Sequence, residues 1–91
     1  MPKLAEKEVL DRLKKLNGWV IEKGRLHKEF VFKGFLEAVG FVDRVASVAE
    51  SMDHHPDIDI RYKKVNLSVV THSEGGLTEK DFNLARKIDA I

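Results

Sequence analysis

The chain contains no cysteine and only two prolines among its 91 residues. Without thiols there can be no disulfide, no thiolate zinc site and no cysteine nucleophile. An excess of one charge is missing too, since 16 Lys and Arg against 15 Asp and Glu give a formal net charge of +1. That balance supplies no electrostatic reason to expect nucleic acid or an anionic membrane as partner. No apolar run approaches the roughly 20 residues of a membrane helix, and Met1-Pro2-Lys3-Leu4 does not open a signal peptide. A cytoplasmic location is the expectation.

What is present reads as an ordinary globular chain, 43% hydrophobic and 34% charged. The length leaves room for one core, so residues 1–91 are expected to form a single domain. So short a chain buries a modest share of its surface, which makes a homodimer or homotetramer the expected state.

Leu4, Val9, Leu10, Leu13 and Leu16 fall mostly at helical spacing and stop near Asn17-Gly18. Trp19 to Ile21 and Leu26 to Phe32 read as two strands around a Lys23-Gly24 turn. Between Phe35 and Met52, Ala38, Phe41, Val42, Val45, Ala49 and Met52 recur every three or four residues, the pattern of a long amphipathic helix. Ile58, Ile60 and Tyr62, then Val65, Leu67, Val69 and Thr71, alternate with polar or exposed neighbours as a second hairpin turning at Lys63-Lys64, with His72 at its end. Thr78 is placed to cap a last helix, with Asp81 at its third position and Leu77 set to staple onto Phe82. The order α-β-β-α-β-β-α predicts an α+β fold, a four-stranded antiparallel sheet with helices packed on one face. Trp19 and Tyr62 are expected in its core. An uncovered sheet face or edge would invite pairing between subunits.

Three of the four histidines mark element ends. His54 and His55 follow the long helix, and His72 precedes Ser73-Glu74-Gly75-Gly76. Imidazole is the side chain best matched to proton transfer near neutral pH. Glu50, four residues before His54, is placed to hold that ring, and Asp53 offers a second carboxylate. From these residues alone, three readings stand: an acid–base site, a solvated helix end, or a metal site using the three histidines and a carboxylate. Adjacent histidines in a short turn are poorly arranged to aim both rings at one ion, and no spaced helical His pair is present.

The full spacing narrows the choice. It runs Glu50, three residues, His54-His55-Pro56, five residues, Tyr62, nine residues, His72, eight residues, Asp81. This resembles the signature of the pterin-4a-carbinolamine dehydratases at every fixed position. Asn17-Gly18-Trp19, Phe30 to Phe35, Ala38, Phe41, Arg44 to Ala46, Ala49-Glu50, Gly76-Leu77-Thr78 and Asp81 to Ala85 are similar as well. The resemblance implies the same α-β-β-α-β-β-α fold and removal of water from 4a-hydroxytetrahydropterin, giving quinonoid dihydropterin in cofactor recycling.

It further implies His54 and His72 as a proton-transfer pair, with His55 as a positioning or auxiliary acid group. Pterin contacts are implied for Glu50, Asp53, Val70, Thr71 and Ser73, alongside the histidines, with no metal and no organic cofactor. Some animal relatives also act as dimerisation cofactors of a transcription factor. Ile58, Ser73 and Glu74 depart from animal members, which have tryptophan, glutamate and cysteine there. Asp81 belongs to the signature, yet helix capping alone would account for it.

Overall fold

Residues of period two and residues of period 3.6 separate along this chain into a sheet and three helices, and a computed structural model describes residues 2–91. The order is α1 (Glu6–Leu13), β1 (Val20–Glu22), β2 (Arg25–Val31), α2 (Phe35–Met52), β3 (Asp57–Arg61), β4 (Lys64–Val69), a 3-10 turn (His72–Glu74) and α3 (Glu79–Asp89). The strands form one antiparallel sheet in the order β1-β2-β4-β3. No helix is long and apolar enough to cross a membrane, among the described residues.

Register sorts the side chains by face. Leu26 pairs with Val69 and Phe30 with Val65, while Ile58 and Ile60 lie opposite Leu67 and Val65. All of these except Ile58, which is 40% exposed, meet Ala38, Phe41, Val45 and Ala49 of α2 and Phe82, Leu84, Ala85 and Ile88 of α3 in one core. The other face carries His27, Glu29, Asp57, Asp59, Asn66 and Ser68 in mutual register. His27 Nε2 lies 2.9 Å from Asn66 Oδ1, and Asn66 Nδ2 donates to Glu29 Oε2 at 3.3 Å. The centre of the uncovered face is therefore polar, with Val20 and Val31 exposed at its margins.

Local chemistry sets the boundaries. Lys23 and Gly24 both have positive φ, 52° and 76°, which suits a two-residue hairpin turn matched to strand twist. The first helix is shorter than its apolar spacing suggests; beyond Leu13 the chain turns toward Gly18, and Leu16 still packs on the core. Trp19 is buried, as expected, and its indole N–H donates to Asp89 Oδ2 at 2.9 Å.

Two expectations need correction. Tyr62 is 67% exposed because it occupies the β3–β4 turn at φ 56°, where the side chain leaves the strand alternation. His72 does not end a strand. β4 stops at Val69, opposite Leu26, and Thr71 instead bridges to Gly76 across the 3-10 turn that His72 opens.

Candidate active site

Helix α2 ends on an aspartate in the left-handed region: Asp53 has φ 50° and ψ 42°. Its N–H and that of His54 close back onto Glu50 O and Ala49 O, both at 3.1 Å, so two of the four terminal helical carbonyls are satisfied. Asp is among the few non-glycine residues that tolerate this conformation. The reversal takes His54 off the helix face. Its ring turns inward, 11% exposed, and Nε2 lies 2.6 Å from Asp81 Oδ1. His55, one residue on, stays at the surface with Nε2 2.7 Å from Glu50 Oε1, the two side chains 58% and 81% exposed.

Glu50 therefore does not hold His54. The four-residue spacing would pair them only if the helix continued, and it ends at Met52. The carboxylate that holds His54 comes from α3, 27 residues away in sequence.

Asp81 is wholly buried and every oxygen is used. Oδ1 faces His54; Oδ2 accepts the Thr78 N–H at 2.8 Å and the Thr71 hydroxyl at 2.9 Å. Thr78 is in turn the N-cap of α3, its Oγ1 accepting from the Lys80 N–H at 3.2 Å. A buried carboxylate is tolerated only when it is paired and hydrogen-bonded in this way. Asp81 thus caps α3 and orients His54 at once. Its second role was hidden in the sequence because the Thr78-x-x-Asp81 pattern is fully explained by capping, which occupies only one of the two carboxylate oxygens.

Thr71, expected among substrate contacts, is buried and spends its hydroxyl on this network; its N–H and C=O are bonded to Gly76. It links the two halves of the site, because the next residue is His72. Asp53, His72 and Ser73 are exposed and Val70 is half-buried. Their side chains have no hydrogen-bond partner among the described residues. Nor do three or more His, Asp or Glu side chains come together to hold a metal ion, among the described residues.

The model of the family described as pterin 4 alpha carbinolamine dehydratase matches residues 2–91. The chain belongs to this family. A protein of Sulfolobus acidocaldarius, named "Putative pterin-4-alpha-carbinolamine dehydratase", is 51% identical over 89 residues, 98% of each chain. A crystal structure of a transcriptional coactivator/pterin dehydratase from Brucella melitensis matches with a TM-score of 0.91 and 41% identity, covering 97% of this chain and 96% of that one. A pterin dehydratase-like protein identified as a RuBisCO assembly factor in the alpha-carboxysome matches less closely, with a TM-score of 0.68, 26% identity, and 81% and 88% of the two chains covered. The α-β-β-α-β-β-α order read from periodicity is thus the fold of the family.

Proposed function

We propose that this chain, acting as one domain over residues 1–91, dehydrates a 4a-hydroxytetrahydropterin to quinonoid dihydropterin by histidine acid–base catalysis. The substrate is a carbinolamine. The C4a–O bond breaks, the N5 proton is lost, and the N5 electron pair forms the C4a=N5 double bond, with water as the second product. Hydroxide leaves poorly near neutral pH, so one group must protonate it while another accepts the N5 proton. Positioned proton transfer of this kind contributes about 10²–10⁴-fold.

The observation that carries the reading is His54, whose ring is fixed on a wholly buried carboxylate that also anchors the residue before His72. His54 and His72 form the proton-transfer pair. His55, oriented by Glu50, positions the pterin or serves as an auxiliary acid. Asp53, Val70 and Ser73 line the substrate; Thr71 contributes from beneath. The reaction needs no cofactor, serves recycling of a tetrahydropterin in the cytoplasm, and is carried out by a homodimer or homotetramer.

A second reading is a protein-interaction module, favoured by the names of the two structural relatives, a coactivator and an assembly factor. Rapid mixing with enzymatically generated 4a-hydroxytetrahydropterin separates the two. Acceleration over buffer, lost in His54→Ala and His72→Ala with the fold retained, is the expected result. No acceleration by the wild-type protein would overturn the dehydratase reading.

A further inference from the structure

The hydrogen atoms of the network beneath His54 can be placed by elimination. Thr71 Oγ1 has one proton and two oxygen neighbours, Asp81 Oδ2 at 2.9 Å and Thr78 Oγ1 at 2.8 Å. Asp81 Oδ2 also receives the Thr78 N–H, so it is a bare acceptor and takes the Thr71 proton. Thr71 Oγ1 must then accept from Thr78, whose own Oγ1 is free to donate because its lone pair already receives the Lys80 N–H. Every proton in the chain points from the α3 N-terminus toward Asp81. One proton remains, between Asp81 Oδ1 and His54 Nε2. It resides on the nitrogen, since imidazole is ordinarily more basic than a carboxylate.

From this geometry we infer that Asp81, Thr71 and Thr78 are positioning residues that lock His54 in its Nε2–H tautomer, making Nδ1 the nitrogen that exchanges a proton with substrate. The inference rests on the acid–base reading of the site and deepens it. Two surface groups cannot give the same constraint. The His55–Glu50 pair is exposed on both sides, and water can replace either partner. Of the two histidine–carboxylate pairs, only that of His54 has a buried partner with no alternative hydrogen-bond arrangement.

The directionality makes a sharp demand on Asp81→Asn. The site of Oδ2 receives two donors, so the Asn oxygen must occupy it, and the NH₂ group must face His54. Nε2 then has to accept, and the ring is forced into the opposite tautomer with its proton on Nδ1. The same shape is kept while the exchanging nitrogen is lost.

The test is nitrogen-resolved NMR of the histidine side chains in the intact protein, paired with the rapid-mixing assay. In the wild type, neutral His54 should show a protonated Nε2 and an unprotonated Nδ1. Asp81→Asn should reverse the two, and kcat should fall by at least about 10²-fold, the scale of losing a correctly placed base. Thr71→Ser, which keeps the hydroxyl, should retain both the wild-type tautomer and most of the activity. Thr71→Val should shift the His54 resonances and lower kcat more than it raises KM. A wild-type His54 protonated on Nδ1, or an Asp81→Asn protein with the wild-type tautomer, would overturn the inference. If the tautomer behaves as stated but the wild type accelerates no dehydration, the lock stands and the functional reading falls.

Discussion

The two histidine–carboxylate pairs have nearly equal lengths, 2.6 Å for His54–Asp81 and 2.7 Å for His55–Glu50, yet they should differ several-fold in what they contribute to stability. In His54→Ala, Asp81 stays fully buried and its Oδ1 loses its donor. Hydrogen bonds to charged groups contribute about 1.5–3 kcal/mol, and an orphaned buried acceptor carries the full desolvation cost, so a loss of about 2 kcal/mol is expected. In His55→Ala, Glu50 returns to water, and an exposed pair of this kind contributes about 0.2–1 kcal/mol. At about 4–8 °C per kcal/mol for a domain of this size, Tm should drop by about 8–16 °C in the first variant and by about 1–8 °C in the second. Trp19 is the sole tryptophan and is buried, so urea unfolding at fixed protein concentration can be followed by its fluorescence. Raising the salt should abolish the small His55 effect and leave the His54 effect in place, because buried pairs are screened little. Equal losses in the two variants, within about 0.5 kcal/mol, would refute the argument from burial.

Three other outcomes follow from the packing. Asp89→Ala should cost about 2 kcal/mol, since the buried Trp19 N–H loses its acceptor and Lys28 its ion partner at 2.9 Å, whereas Asp89→Asn, which keeps an acceptor, should cost about half as much by urea unfolding. Asp53→Gly should leave stability unchanged or raise it by up to about 1 kcal/mol, because glycine suits the left-handed turn better, while KM for the pterin rises if the carboxylate contacts substrate. Gly76→Ala places a methyl 2.6 Å from Lys3 Cε, a flexible tip that can move, so the loss should stay below about 1 kcal/mol and vanish in a Lys3→Ala background.

Features governed by near neighbours in sequence could be read from the amino acids alone. The α2 span from Phe35 to Met52, the alternation of β4, the Lys23-Gly24 turn and the Thr78–Asp81 capping box all depend on residues within about four positions, where periodicity and backbone preference act. The signature spacing also marked the three histidines and the family. What each histidine touches was decided by packing. Asp81 reaches His54 because the start of α3 packs against the end of α2, and Asp53 turns the ring off the helix at that point. The exposure of Tyr62, the inward hydroxyl of Thr71 and the 3-10 turn at His72 arise similarly, from strands that end where their partners do. A one-dimensional pattern names the groups available for proton transfer. Only the tertiary contact selects the carboxylate that fixes a ring, because a charge can be buried only where the fold supplies all of its hydrogen bonds.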